Sequence, residues 1–368
     1  MKRRLAVKKD NRFRFTNTSK MTMGIDLGDR YSYFYTLDAA GENRESGRVA
    51  TTRSALEKRF RGGEAARVVI EAGTHSPWVS RLLAEWGHEV LVANPRKLAL
   101  ITKNERKDDP VDAELLARLG RVEPQLLSPI VHRGAEAQAD LAVIRARDAV
   151  VAARTQLVNH VRGAVKSLGS RMPRCSPRSF AQRGESEVPE PLRAALQPLL
   201  EVIEGMTEQI KGYDRQIEEA CREKYPETEL LRQVGGVGAV TSLAFVLTLE
   251  DANRFGRSRS VGGFLGLHPG RDQSGAQDPE LRITKAGDQL LRRLLVGSAQ
   301  YILGPLGPDC DLRRWGLKLA SRGRKNAKKR AVVAVARKLA VLLHRLWVGG
   351  EVYEPLRLAA LTALSTPA

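Results

Sequence analysis

The sequence predicts an α/β domain near its start, a pair of long helices in its middle and a mostly helical remainder. Up to about residue 120, short β-rich runs alternate with stretches of helical spacing. From about residue 135 the apolar residues recur at three- and four-residue steps, and beyond residue 230 strand signals are lacking. With 368 residues, 42% of them hydrophobic, the chain has enough material for two or three packed domains.

The first predicted domain covers residues 21–125. Its strands are expected at 22–27, 31–37, 46–52, 68–70 and 89–93, and its helices at 53–61, 76–86 and 111–119. Glycine-containing turns at 28–30 and 40–43 separate the first three strands. The order β-β-β-α-β-α-β-α predicts a mixed sheet with helices packed on it.

The second predicted domain, 133–228, is a helical arm. Two apolar stripes mark its helices, and a segment rich in Ser, Pro, Arg and Gly at 169–191 is expected to be a loop between them. No strand or globular block of its own is available to cover the stripes, so a partner helix is the expected cover. The arm is therefore predicted to be a coiled coil that holds a dimer or tetramer together. The stripes consist of Leu141, Ile144, Val151, Leu157, Val161 and Val165, and of Leu200, Ile203, Met206, Ile210, Tyr213 and Ile217.

The third predicted domain, 229–350, is helical apart from a glycine-dense stretch at 262–275, and a tail follows at 351–368. Gly235, Gly236 and Gly238 lie in a segment that resembles a helix-hairpin-helix. Backbone N–H groups at such a helix start bind DNA phosphates without reading bases. An ordinary glycine-rich helix connection explains the same residues equally well.

The charge of the chain indicates a polyanionic partner. Lys and Arg number 61 against 42 Asp and Glu, which gives a formal net charge of +19. Nucleic acid is the expected partner of so basic a protein. A basic cluster lies before and within the first turn of the last predicted helix. It is interpreted either as a set of phosphate contacts or as an ordinary solvated helix start. It consists of Arg322, Arg324, Lys325, Lys328, Lys329 and Arg330.

Other features narrow the class of protein. The three cysteines have no paired spacing, which argues against a disulfide framework or a zinc site and fits a reducing cytosol. No apolar run reaches the length of a membrane span, and the basic segment 1–20 has no apolar core of a signal peptide. We therefore expect a disordered basic arm at 1–20 and a cytoplasmic protein that joins the nucleoid during its reaction.

Four carboxylates are candidates for a metal site. Asp26 and Glu71 end two apolar strands, and Asp109 and Asp112 stand three apart at a predicted helix start, where they share a face. Each has a simpler explanation as a cap, with Asp109 as the helix N-cap. Together they would suit Mg²⁺ or Mn²⁺, and two such ions can hold the attacking and leaving oxygens of a phosphoryl transfer. This set on this frame is typical of ribonuclease-H-like nucleases.

Ser274 is a candidate nucleophile in a polar loop. Arg271 lies close by in sequence, and Arg282 and Lys285 follow. A serine in a loop is usually only a loop residue. A hydroxyl beside cationic groups, however, is able to attack a phosphodiester.

Several segments together resemble a known family. They are GIDLG at 24–28, IEAGTHSPWVSRLLAEWGHEVLVANPRKL at 70–98, ERKDDPVDAELLARL at 105–119, the run from LLRQVGGVG to GRDQSG at 230–275, and ITKAGDQLLRRLLVGSAQ at 283–300. The chain resembles the DEDD-type insertion-sequence transposases, also called bridge-RNA-guided serine recombinases, which include the Piv-like invertases. The resemblance covers most of the chain except the basic arm and 169–191.

The resemblance implies a RuvC-like first domain, a coiled-coil middle and a helical transposase domain. It places the family's metal-binding tetrad on Asp26, Glu71, Asp109 and Asp112, and its catalytic serine on Ser274. Family members often show two serines and two glycines at this loop, whereas this chain has one serine, between Gln273 and Gly275. The resemblance also implies a non-coding RNA partner, encoded by the element, that pairs with donor and target DNA.

These observations predict a transposase or site-specific recombinase that cuts and rejoins DNA through a phosphoserine. One alternative is a metal-dependent Holliday-junction-type nuclease that does not use Ser274, and another is a non-catalytic nucleic-acid-binding protein. The acidic tetrad argues against a non-catalytic binding protein, and the block around Ser274 argues against a nuclease that does not use this serine. The resemblance favours a site formed across an oligomer interface.

Overall fold

The computed structural model describes residues 21–98, 108–275, 277, 279, 281–323 and 326–357. The expected basic arm at 1–20, Arg324, Lys325 and the end of the predicted tail, 358–368, lie outside the described residues. The chain divides into two compact units, Met1–His132 and Arg133–Ala368. Each is described by itself below. The further division of the second unit into an arm and a transposase domain stays a prediction.

The first unit contains a five-stranded mixed sheet. Its strands are β1 (Thr22–Leu27), β2 (Tyr31–Leu37), β3 (Asn43–Ala50), β4 (Arg67–Glu71) and β5 (Glu89–Ala93). Their spatial order is β3-β2-β1-β4-β5. The first three strands pair antiparallel, whereas β1–β4 and β4–β5 pair parallel. The predicted mixed sheet is confirmed.

Helices cover both faces of this sheet. They are α1 (Arg53–Phe60), α2 (Ser76–Glu85), α3 (Pro95–Leu98) and α4 (Asp109–Val122). On one face, Ile25 and Ile70 pack with Leu56 of α1 and Leu83 of α2. On the other face, Val69 and Leu91 pack against α3 and α4. Strand residues therefore alternate between two apolar layers, as a sheet buried on both sides requires.

The strands β1, β2 and β5 have the predicted bounds, and the third strand is present, but its predicted bounds were wrong. It spans Asn43–Ala50 instead of 46–52 and is mostly exposed. As an edge strand it is defined by its pairing with β2, which shifts register between Thr36 and Leu37. A β-rich run after a turn, the signal used for prediction, does not mark the start of this strand, because its first residues are exposed and polar.

The second unit is helical. Its helices are α5 (Ala135–Ser167), α6 (Phe180–Gly184), α7 (Glu190–Glu223), α8 (Thr228–Arg232), α9 (Ala239–Leu249), α10 (Arg259–Phe264), α11 (Gln289–Leu303), α12 (Asp311–Ala320) and α13 (Ala327–Gly349). The strongly apolar α9 is buried almost completely and lies in the main core with α11 and α13. No helix in the described ranges is long and apolar enough to cross a membrane.

The two long helices α5 and α7 pack antiparallel against each other. Lys224 of α7 pairs with Asp140 near the start of α5, and Arg154 donates to Thr207 further along both helices. Towards the far end of α5, Val161 and Val165 are buried with Leu200 and Ile203 of α7. The predicted stripes therefore cover each other over much of their length.

This packing corrects two predictions. Ile144 is buried in the main core of the second unit with Leu141 and Ile217, so the stripe does not need a partner helix as its cover. The segment 169–191 is not simply a loop, because it contains α6 between two short 3₁₀ turns. Phe180 of α6 is fully buried in the α5–α7 core, and the Arg162 guanidinium lies 5.2 Å from its ring centroid.

Candidate active site

Asp26 and Glu71 occupy neighbouring positions at one edge of the sheet. The parallel register of β1 and β4 pairs Ile25 with Ile70, and the two carboxylates follow these residues directly. Both side chains are partly buried. Because the strands are parallel, their carboxyl ends meet at the same edge. The parallel pairing therefore brings these two strand ends together, while the catalytic role of both carboxylates stays a prediction.

The helix α4 lies on the sheet face that carries both carboxylates. A Cβ on Gly24 would stand 2.0 Å from the carbonyl oxygen of Ala113, so α4 rests directly on β1 there. Residues two apart on a strand share a face, so Asp26 lies on the α4 side together with Gly24. The neighbouring strand β4 makes the same kind of contact. A Cβ on Gly120 would stand 2.2 Å from the Cγ2 of Val69, which precedes Glu71 by two residues.

These contacts also fix the direction of α4. Its last turn lies near the strand starts, because a Cβ on Gly120 would stand 3.6 Å from Cγ2 of Thr22 and the Arg67 guanidinium donates to the Gly120 carbonyl at 3.2 Å. Ala113, in the first half of α4, lies further along β1, over Gly24. The first turn, which carries Asp109 and Asp112, therefore points towards the strand ends that carry the other two acids. One detail of the prediction was wrong, since the N-cap is Asp108 and Asp109 is the first helical residue.

The donor chemistry of this edge fits a divalent cation. All four candidate groups are carboxylates, and carboxylate oxygens are the ligands that Mg²⁺ and Mn²⁺ prefer. Among the residues that the structure describes, no three Asp, Glu, His or Cys side chains form a ready metal-binding cluster. The segment 99–107, which leads into α4, lies outside the described residues.

A histidine at the same edge escaped the sequence analysis. The indole Nε1 of Trp78 donates to Nδ1 of His75, at 3.1 Å. That bond leaves the proton on Nε2, which lies 3.5 Å from Oδ1 of Asp29 in the turn after β1. The sequence signal for this arrangement is only a histidine three residues before a tryptophan at a helix start, which is common for structural reasons.

Ser274 lies near the tip of an irregular hairpin in the second unit. The arms of the hairpin pair through Gly270 N to Arg282 O, at 2.9 Å, and through Thr284 N to His268 O, at 3.0 Å. Ser274 and Gln277 exchange two backbone hydrogen bonds around the tip, and Ser274 is exposed. The Arg271 side chain donates to Gln273. Among the described residues, the non-helical stretch thus begins at 265 and ends at 288, instead of covering 262–275, since 262–264 belong to α10.

Close backbone contacts fix the base of this hairpin. Gly266 has φ +66°, and a Cβ there would stand 2.2 Å from the amide nitrogen of Ala286. The Arg292 guanidinium of α11 donates to the carbonyl oxygens of Leu265 and Ala286, at 3.0 and 2.8 Å. The hairpin that carries Ser274 is therefore anchored to the helical core at its base.

A basic groove of about 1680 Å³ runs beside the hairpin, bounded by α12, α13 and the segment 353–357. Most of the described cations that were predicted to bind nucleic acid line it. The exceptions are Arg322 and Lys328, and Ser274 itself is also not part of the lining. Residues more than 50 positions apart thus meet on one surface. The predicted residues in the lining are Arg271, Arg282, Lys285, Lys329 and Arg330.

The glycines of the predicted helix-hairpin-helix have different surroundings. A Cβ on Gly235 would stand 2.6 Å from Pro308, and one on Gly236 would stand 2.8 Å from the Tyr301 ring. These two glycines therefore serve internal packing. Gly238, the N-cap of α9, is exposed and has open space around its Cα. Phosphate binding at this turn stays a prediction.

Comparison with known proteins adds independent observations. Residues 23–169 match the family model DEDD_Tnp_IS110, described as a transposase, and residues 228–305 match the model of the IS116/IS110/IS902 transposase family. A probable family 20 transposase of Pseudomonas aeruginosa is 29% identical over 82% of this chain and 90% of its own length. The chain belongs to the IS110/IS116 family of transposases.

Two further relatives are transposases of named insertion sequences. The transposase of IS1111A from Coxiella burnetii is 27% identical over 68% of each chain. The transposase of IS1328 from Yersinia enterocolitica is 26% identical over 76% of this chain and 83% of its own. Within the family match, the first model spans all four candidate carboxylates and the second spans Ser274. Membership in this transposase family supports a DNA-cleaving and rejoining enzyme of a mobile element.

Proposed function

We propose that this transposase recombines DNA at specific sites through a covalent phosphoserine formed by Ser274. The observation that carries the proposal is the placement of Asp26 and Glu71 at one sheet edge, with the first turn of α4 directed towards them. An exposed serine beside a basic groove supplies a second group that a phosphodiester backbone can reach. In this proposal the first domain is RuvC-like and the middle is a coiled-coil arm.

The covalent step transfers the phosphate linkage from a sugar oxygen to the serine, so that its bond energy is kept in the protein–DNA link. The Ser274 Oγ attacks phosphorus and loses its proton, a new P–O bond forms, and the bond to one sugar oxygen breaks. That sugar oxygen leaves as a hydroxyl after it takes up a proton. Attack by a sugar hydroxyl of the second DNA end reverses these changes, so that the strands are rejoined and the serine is released without ATP.

Asp26, Glu71, Asp109 and Asp112 would hold Mg²⁺ or Mn²⁺. A bound divalent cation supplies charge stabilisation at the scissile phosphate. The carboxylates themselves would bind and orient the cation, and their alignment depends on the contact of α4 with β1. Cations on the walls of the groove hold the phosphates of the substrate backbone, and such contacts position a nucleic acid without reading its sequence.

Two partners complete the proposal. An element-encoded guide RNA, which pairs with donor and target DNA, recognises the DNA sequence, and sequencing of the RNA that copurifies with the protein tests this partner. The second partner is another copy of the chain, with which it forms a dimer or tetramer. Light scattering of the purified protein, with and without RNA and DNA, measures this self-association.

The proposal is tested by a recombination assay on plasmids that carry donor and target sites, with the cognate RNA and Mg²⁺. Wild type is expected to yield joined products, and Asp26→Asn none, with nucleic-acid binding retained. Normal recombination by Asp26→Asn would refute the metal-site assignment. Free DNA ends without joined products from wild type would favour the junction nuclease.

A further inference from the structure

The basic groove of the second unit has an apolar floor that duplex DNA would not use. Ten Lys and Arg side chains line the groove, against the two acidic residues Asp311 and Glu354. Two of these cations, Arg345 and Arg357, are paired with Glu351 at 3.6 and 3.1 Å. Even with these two pairs, the balance of the lining remains strongly positive, which favours an anionic ligand.

Apolar side chains form the floor between these cations. This apolar floor consists of Trp315 and Leu319 of α12, Leu342 and Leu346 of α13, and Tyr353. Trp315 is only partly buried. The ammonium nitrogen of Lys338 lies 3.8 Å from the centroid of the Trp315 ring, so this ring face is covered by a flexible side chain that a ligand would displace.

The combination distinguishes between kinds of nucleic acid. A duplex keeps its bases stacked inside and presents phosphates and sugars, so it would engage the cations and leave the apolar floor unused. An unpaired strand offers both phosphates and exposed base faces. Grooves that bind single strands combine a positively charged track with aromatic side chains on which bases stack.

We propose that this groove binds an unpaired stretch of RNA or DNA, with its phosphates on the cationic walls and a base against Trp315. The base replaces the Lys338 ammonium on the ring, and the ammonium moves to a neighbouring phosphate. This inference rests on the proposed function in that it takes nucleic acid as the ligand. It adds that the ligand is single-stranded in the groove.

The test measures fluorescence anisotropy of a labelled strand of about 20 nucleotides without self-pairing, as DNA and as RNA, and of the same strand paired with its complement. Wild type is expected to bind the unpaired strands more tightly than the duplex. Trp315→Ala should weaken unpaired-strand binding about tenfold or more and leave duplex binding unchanged, whereas Trp315→Phe should keep most of it. Tighter binding of the RNA strand or of the DNA strand would identify which kind of nucleic acid the groove binds.

Matched controls lie on the same helix. Leu317 and Lys318 of α12 are exposed and do not line the groove, so Leu317→Ala and Lys318→Gln should not change the strand preference. Arg337→Gln should weaken unpaired-strand binding and duplex binding alike. If Trp315→Ala fails to fold, Leu319→Ser removes floor surface instead, and cross-linking of a 5-iodouridine strand to wild type should label Trp315 or Tyr353.

Equal affinity of wild type for the unpaired strand and the duplex would overturn the proposal, as would equal losses for both in Trp315→Ala. Those outcomes leave the recombination function intact if Asp26→Asn still abolishes recombination. Failure of wild type to bind any nucleic acid would instead overturn the proposed function.

Discussion

Gly24 of β1 lies in direct contact with Ala113 of α4, with no space between them for a side chain. A Cβ on Gly24 would also stand 2.5 Å from the amide nitrogen of Ala117. Asp26 follows Gly24 by two residues, and Asp112 directly precedes Ala113. The approach of two backbones therefore sets the alignment of a strand carboxylate with a helix carboxylate.

Gly24→Ala should accordingly displace α4 and disturb both stability and activity. The new methyl group meets backbone atoms, which cannot move aside as a flexible side chain would. Overpacking of this kind typically costs ~1–3 kcal/mol in the free energy of unfolding. Denaturant unfolding measures the loss, and Gly63→Ala is the control, since its nearest atom would be 3.7 Å away. Equal stability of the two variants would contradict the close contact.

Asp112→Asn should lower recombination by at least about a hundredfold, because loss of a metal ligand costs more than the 10–100-fold typical of its outer partners. The melting temperature should stay near that of wild type, since Asp112 is not part of the core. Asp108→Asn is a matched control in the same helix start. Its carboxylate makes no capping hydrogen bond, and it is not in the proposed tetrad. A greater loss in Asp108→Asn than in Asp109→Asn would reassign the third acid.

Lys329→Gln should reduce the salt dependence of nucleic-acid binding more than Lys328→Gln does. Both side chains are exposed in the first turn of α13, but only Lys329 lines the groove. Each lost phosphate contact lowers the slope of log K against log salt by about 0.9 for duplex DNA. Binding titrations at several salt concentrations measure these slopes. An equal change of the slope in both variants would show that a position in the groove does not decide whether a lysine contacts phosphate.

The strands and long helices could be predicted because their signals are local. In β1, β2 and β5, short β-rich runs end at glycine or polar residues, and their bounds were correct. The burial of Phe180 could not be predicted, since a single aromatic residue in a segment rich in Ser, Pro and Arg carries no periodic signal. Its position depends on the packing of α5 against α7.

The candidate site likewise has parts that could be predicted from the sequence and parts that could not. The strand ends at Asp26 and Glu71 were visible in the sequence, because each follows a β-rich run and precedes a glycine. The groove was not visible, since Trp315 and Arg282 meet only after the hairpin, α12 and α13 have packed together. An Ile144→Asp variant is also unsuitable as a test of self-association, because Ile144 lies in the main core of the second unit. This substitution would place a charge there and prevent folding.

The second unit should lose stability as the pH falls below about 6.5, through His344. This ring is buried, its Nε2 donates to the Ala252 carbonyl at 2.9 Å, and its Nδ1 accepts from Ser258 at 3.0 Å. Burial lowers the pKa of His344 below its ordinary value of 6.5, because the charged ring loses its hydration. The unfolded chain therefore binds the proton more readily and is favoured in acid.

Thermal unfolding at pH 7.5 and 5.5 measures this dependence. Wild type should lose more stability between these values than His344→Gln, in which the titrating ring is absent. Each pH unit between the folded and unfolded pKa values corresponds to about 1.4 kcal/mol. The exposed His160 provides the control, and His160→Gln should follow wild type. Identical pH profiles for wild type and His344→Gln would show that this ring does not carry the effect.

The most direct test of the central claim is the search for a covalent link between Ser274 and DNA. Ser274→Ala removes the hydroxyl from an exposed hairpin tip, so folding and nucleic-acid binding should survive. Ser274→Cys should keep weak activity, because a thiolate is also a nucleophile. The measurement is denaturing electrophoresis of labelled substrate DNA after incubation with protein, Mg²⁺ and the cognate RNA. Wild type should give a protease-sensitive shifted band that Ser274→Ala lacks. Equal cleavage by the alanine variant, with no adduct in either protein, would contradict the phosphoserine mechanism.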